Sequence, residues 1–238
     1  MERISVSQQT GGAVEILHRD DLTLGGFAGV REHRLVMDSK AFGDQVNPGT
    51  WAGVGNFVYL ADARFVPKGE TKLHSHKEID VISVMVDGRI AHEGSLEHGQ
   101  ELSANQVQVQ RAGGEGFLHN EVNPDDNMNR MIQIWVLPET PGQPAGYKLY
   151  QPKAGALTRV YGGKVDQDET FDSHTLIDVA LLEPRQNITV DRPFLGYLTR
   201  GRGLANDETV SDGDTFRGNR LAFNATEDVL LIVVHEVA

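Results

Sequence analysis

The 238-residue chain contains no cysteine, which excludes disulfides, thiolate metal sites and thiol catalysis together. Any metal must then be held by nitrogen and oxygen ligands. No apolar run approaches the roughly 18 residues of a membrane span. The opening residues, MERISVSQQTGG, lack the charged-then-apolar layout of a signal peptide. A soluble cytoplasmic protein with no membrane partner is the expectation. Positive charge is scarce too: 22 basic residues stand against 34 acidic ones, a formal net charge of −12. Direct nucleic-acid binding depends on cationic side chains releasing phosphate counterions, so this composition argues against it. Helical periodicity is hard to find anywhere in the chain.

What is present is a succession of short stretches rich in Val, Ile, Phe and Tyr between Gly, Pro, Asn and Asp clusters. The clearest run from Asn56 to Ala61, Ile79 to Val86, Gln106 to Gln110, Met131 to Leu137, Leu176 to Leu182, Phe194 to Leu198 and Val229 to Val234. Many short strands predict an all-β sandwich or barrel. Between Leu137 and Leu157, four prolines (Pro138, Pro141, Pro144, Pro152) and three glycines are expected to sustain neither a helix nor a strand ladder. Residues 138–156 therefore read as a linker between a domain over 1–137 and another over 157–238. The halves share an outline: VMVDGRIAHEG then LSANQVQVQ in the first, GYLTRGRGLAND then VSDGDTFRG in the second. This suggests one β module duplicated.

The chemistry concentrates in two histidine-containing pairs. Side chains two apart on a strand point to the same face, so His74 and His76 in KLHSHKEID aim two imidazoles at one point. In GEGFLHNEV, His119 and Glu121 again stand two apart, after a Gly-rich turn. Together the pairs supply three nitrogens and one oxygen. That donor set suits Fe(II), Mn, Ni, Cu or Zn better than Ca or Mg, which prefer oxygen shells. Four protein ligands leave two positions of an octahedral ion open, which favours chemistry over a closed structural site. The remaining histidines, His18, His33, His92, His98, His174 and His235, lack paired spacing and read as ordinary surface or core residues.

From PKGETKLHSHKEIDVISVMVDGRIAHEGS through RAGGEGFLHNEV to RMIQIWVLP, about 70 residues resemble the N-terminal half of the pirins. The resemblance implies a bicupin, two jelly-roll β-barrels in tandem, with His74, His76, His119 and Glu121 binding one divalent ion, foremost Fe(II). The family's H-S-E is H-N-E in this chain, which leaves both ligand positions intact. Glu78 and Asp80, the latter on the ligand face by parity, are candidates for steadying the ligands. Matching the turn at Gly201 to that at Gly88 puts the second half's H-x-H positions on Asn187 and Thr189, and its H-x-E region from 221–226 onward. Neither offers ligands, so the C-terminal cupin is expected to hold no metal.

By the same resemblance the expected activity is that of a quercetin 2,3-dioxygenase, which opens a flavonol ring with O2 and releases CO. The substrate would be a small aromatic molecule such as a flavonol, with Glu121 as catalytic base. The alternative is a pirin-like regulatory module that binds a protein partner in a metal-dependent way without turnover. A metal-dependent enzyme acting on a different small molecule is a third, because cupins host many chemistries. A monomer is expected.

Overall fold

The computed structural model describes residues 12–96 and 99–237; residues 1–11 of the opening segment, and His98, lie outside them. The first half runs through β1 (Glu15–His18), β2 (Leu24–Phe27), β3 (Val30–Met37), β4 (Phe57–Phe65), β5 (His74–His76), β6 (Asp80–Asp87), β7 (Arg89–Gly94), β8 (Glu101–Ser103), β9 (Val107–Arg111), β10 (Phe117–Val122), β11 (Arg130–Val136) and β12 (Gly146–Tyr150). The second runs through β13 (Leu157–Gly163), β14 (Ser173–Leu182), β15 (Asn187–Val190), β16 (Phe194–Arg200), β17 (Arg202–Ala205), β18 (Glu208–Ser211), β19 (Asp214–Gly218), β20 (Leu221–Ala225) and β21 (Val229–Glu236). One helical turn, α1 (Ser39–Phe42), starts where the Asp38 carboxylate accepts from the Lys40 amide. Among the described residues no helix is long and apolar enough to cross a membrane.

Each half is a large sheet facing a small one. In the first half a seven-stranded sheet, ordered β12-β9-β6-β11-β4-β3-β2, faces a four-stranded sheet, β5-β10-β7-β8. The second half repeats the pattern with β1-β19-β16-β21-β14-β13 and β15-β20-β17-β18. The matching orders support the duplication read from the two Gly turns, and Gly88 and Gly201 both adopt positive φ (74° and 83°). Such a backbone is open to glycine without steric cost.

The segment 138–156 corrects one expectation. It contains β12, which pairs with β9 from Gly146↔Arg111 to Tyr150↔Val107. Its prolines all fall outside the ladder, so none removes a needed N–H donor. In the other direction β1, from the start of the chain, pairs with β19 of the second half. The large sheet of the second half is thus closed at one edge by a strand from the first.

The two large sheets also pack against one another. Ile82, Val84, Val109, Ile132 and Ile134 of the first half share one buried cluster with Val160, Ile177, Val179, Leu195 and Ile232 of the second. Strands β6 and β11 are consequently buried on both faces, which explains their nearly unbroken apolar sequences. Each such side chain stabilises the packed state by about 1.5–3 kcal/mol. Two ionic clamps flank this core. At one, Arg130 donates to Asp62, to the Thr199 carbonyl and to Asp212, while the Tyr197 hydroxyl donates to Asp62. At the other, Arg111 donates to Asp80 and Asp172, and the Tyr161 hydroxyl donates to Asp80 at 2.7 Å.

Candidate metal centre

His74 and His76 lie on β5, the edge strand of the small sheet, and pair with β10 in the register His74↔His119 and His76↔Phe117. The period-two alternation sends His74, His76, Phe117 and His119 into the barrel. One ring nitrogen from each of the three histidines lies within 4.8 Å of the other two, and the three ring centroids form a near-equilateral triangle of 4.5–4.9 Å sides. The Lys72 carbonyl, which can only accept, holds His74 Nδ1 at 2.8 Å. In the neutral ring Nδ1 therefore carries the proton and Nε2 presents a lone pair.

Burial and the neighbouring His74 ring push His76 down to about 4; burial with the His76 and His74 rings pushes His119 down to about 2. Both are uncharged at neutral pH, as a metal ligand must be. The donor set fits a divalent ion: His74 Nε2 and His119 Nε2 stand 3.0 Å apart, the spacing of two adjacent octahedral ligands each about 2.1 Å from an ion.

Glu121 is brought to the same cavity but not into this triangle. It lines the cavity with His74 and His76, and its Oε1 accepts from Ser83 Oγ and Gln108 Nε2, both at 3.2 Å. Burial, opposed by the Ser83 hydrogen bond, pushes its carboxyl up to about 7. The groups around it were not singled out from the sequence. Adjacent strands align Gln108, Ser83 and Gln133 in one row across the large sheet, and Gln133 Nε2 and Gln108 Nε2 both donate to Ser83 Oγ. His92, taken from the sequence for an ordinary histidine, faces Glu121 across the β7–β10 ladder and places its ring 5.5 Å from that of His119. The available signal was polarity where it should be costly: Gln108 and Gln110 sit in a strand whose every residue is buried.

Asp80 is a correction. Parity from His76 put it on the ligand face, but Glu78 takes φ 52° between β5 and β6, and this left-handed step turns the strand over. Asp80 faces the other half and holds Tyr161 and Arg111. Glu78 accepts from the Gly142 amide and so ties down the 138–156 segment.

The second barrel differs in its lumen. Asn187 and Thr189, the positions matched to the H-x-H pair, are exposed, while Ile188 and Val190 point inward opposite Phe223 and Leu221. The expected alignment was one residue out of register, which on a strand exchanges the two faces. The inward positions carry no metal-ligating atom, and they join Phe194, Phe216 and Leu231 in one continuous apolar cluster. The first lumen instead splits its apolar residues into three smaller clusters around polar groups.

Two jelly-roll halves packed through their large sheets, with an imidazole triad inside one of them, define a bicupin. Residues 31–136 match the pirin family. A Zymomonas mobilis protein provisionally named a quercetin 2,3-dioxygenase is 27% identical over 188 residues, spanning 73% of this chain and 79% of its own. The quercetin 2,3-dioxygenase of Escherichia coli K12 is 29% identical over 148 residues, 59% of this chain and 64% of its own. Among solved structures, the bacterial pirin YhhW of Escherichia coli, determined in complex with nickel(II), shares the fold with a TM-score of 0.79 at 16% identity, covering 95% of this chain and 100% of that one. The chain is thus pirin-like over residues 31–136 and shares the bicupin fold throughout.

Proposed function

We propose that the protein is a metal-dependent dioxygenase of the quercetin 2,3-dioxygenase type, with His74, His76, His119 and Glu121 serving one divalent ion, foremost Fe(II), with Mn, Ni, Cu or Zn as the other choices. The observation that carries this reading is the convergence of three imidazoles on one point beside a buried carboxyl pushed up to about 7. When bound, the ion supplies a positive centre that stabilises a deprotonated flavonol 3-hydroxyl. The protein's own part is to take that proton and to keep water out. Glu121 has the affinity for it, because a base is most effective when its pKa lies near the working pH. Ser83 and Gln108 hold the carboxylate in place by donating to Oε1. Trp135, Tyr59 and Phe65 supply an apolar wall for a planar ring.

The test is to load the protein with iron, manganese or nickel, add quercetin under oxygen, and follow flavonol absorbance and released CO. Loss of absorbance with CO release is expected; no loss with any of the three metals removes the reading. Glu121→Gln should retain metal yet lose turnover. The second reading, a regulatory module without turnover, is favoured by the small volume of the cavity, about 50 Å³. It requires a partner complex that chelator dissociates.

A further inference from the structure

The cavity at the histidines has room for one or two waters at about 30 Å³ each, whereas sites for drug-sized ligands start at roughly 300 Å³. A planar multi-ring substrate therefore needs a wall that yields. Most of the lining belongs to the inner face of the large sheet, where Tyr59, Phe65 and Met131 are almost fully buried and anchored from both sides. Phe27 is the exception. It lines the cavity yet is 47% exposed, and all four residues of β2 are exposed.

β2 is the outermost strand of its sheet and is paired only with β3. Its sequence, Leu24-Gly25-Gly26-Phe27, offers two residues without side chains to pack. Firm anchors bracket it. On one side Arg19 donates to Asp62 and Asp212. On the other, Gly29 donates to the Glu70 carbonyl, accepts from the Val66 amide, and lies so close to Gly69 that a Cβ would come within 2.6 Å of its Cα. Between β2 and that second anchor, Ala28 takes φ 46°, a costly conformation for a residue with a Cβ. A strap pinned at both ends, edge-paired and strained beside its tip residue, can swing without disturbing the core.

Behind Phe27 the cavity wall carries polar capacity that the fold leaves unused. Trp135 Nε1 is buried with no partner among the described residues. The buried Glu32 carboxylate accepts from Arg34 Nε and the Tyr59 hydroxyl, which occupy two of its roughly four lone-pair positions. An unpaired donor and spare acceptor sites beside stacked aromatic rings suit a planar aromatic bearing hydroxyl groups.

We propose that Phe27 on the β2 strap is the gate of this site: it excludes multi-ring molecules until it swings out, and a hydroxylated planar ring then lies against Trp135, Tyr59 and Glu32. The substrate class rests on the dioxygenase reading, whereas the gate itself does not. The chain has two tryptophans, Trp51 and Trp135, so Trp51→Phe leaves Trp135 as sole reporter of cavity occupancy. In that background, stopped-flow quenching of Trp135 is measured with phenol, quercetin and acridine, a planar three-ring molecule that is neither a flavonol nor a chelator.

Phe27→Ala is expected to speed association of the three-ring probes at least tenfold and Phe27→Trp to slow it, with phenol changed less than twofold by either. Equal three-ring rates in all variants overturn the gate, as does failure of every three-ring probe to reach Trp135 even in Phe27→Ala. Gated entry of acridine without any binding of quercetin retains the gate and rejects the flavonol reading.

Discussion

His74 Nε2 and His119 Nε2 stand 3.0 Å apart across the β5–β10 ladder, with His74 oriented from behind by the Lys72 carbonyl. Two lone pairs at that distance repel one another unless a proton or a cation lies between them. His119→Ala removes one of three imidazoles and should weaken metal retention by more than the roughly 10–100-fold that follows loss of a mere supporting contact. Competition against a chelator of known affinity measures this. Unchanged retention would remove His119 from the ligand set.

Gly94 lies opposite His119 on the neighbouring strand, at φ 153°. A Cβ there would come within 2.1 Å of the Leu118 carbonyl oxygen and 2.8 Å of the His119 Cα. Gly94→Ala should therefore displace β10 and lower metal occupancy with the fold retained. Elemental analysis beside circular dichroism tests it. Full metal content in a folded Gly94→Ala protein would show that the strand adapts.

The histidine pairs were legible because the two-residue period of a strand is local, and two such pairs in separate strands are a rare coincidence. The long strands were legible for the same reason: β6, β11, β14 and β21 are apolar runs between turn residues. What escaped depends on three-dimensional context. β12 was lost among prolines that flank it, and Asp80 was turned to the opposite face by one positive φ at Glu78. The register of β15 could not be taken from a turn match, since a one-residue slip leaves the turn alike and exchanges Asn187 for Ile188. Gln108 and Ser83 gain meaning only when neighbouring strands align them beside Glu121.

The two inter-half clamps should respond differently to removal of their carboxylates. Burial alone would raise the Asp62 carboxyl, but the Arg130 guanidinium, with Tyr197 and Arg64, outweighs it and holds the group below its usual range. Asp80 is held above its usual range by burial, which Arg111 and Tyr161 offset only in part. Asp62→Asn, which takes a fully buried carboxylate from Arg130, Arg19 and Arg64 at once and leaves Arg130 only the more exposed Asp212, should cost about 3–5 kcal/mol in urea unfolding. Asp80→Asn should cost no more than about 1.5 kcal/mol, the net worth of a typical hydrogen bond, because Arg111 keeps Asp172. Equal losses would refute the distinction.

The Asp62 shift also fixes a direction in pH. A carboxyl lowered in the folded state contributes stability that is present above its unfolded pKa of about 3.9 and is lost as pH falls through the lower folded value. The wild-type urea midpoint should therefore fall steeply below about pH 4, and Asp62→Asn should flatten that fall. A variant with the full wild-type acid slope would assign the slope to other carboxylates.

The attachment of β1 to the second half should weaken in the opposite direction. His18, at the end of β1, contacts Asp214 at 2.6 Å, and that hydrogen bond, opposed by partial burial and supported by the Asp214 and Asp20 charges, raises the imidazole above its usual 6.5. A raised histidine contributes stability that is complete below the unfolded pKa and lost as pH rises through the folded one. The β1–β19 ladder carries four residue pairs, Glu15↔Arg217 to His18↔Asp214. Because β1 closes the large sheet of the other half, its release would expose the edge of β19. Amide hydrogen exchange, corrected for its intrinsic rise with pH, should show β1 and β19 less protected at pH 8.5 than at pH 5.5, while β16 and β21 stay unchanged. Asp214→Asn should remove the pH difference and leave β1 weakly protected at both values. A pH response that survives Asp214→Asn would place its origin away from this pair.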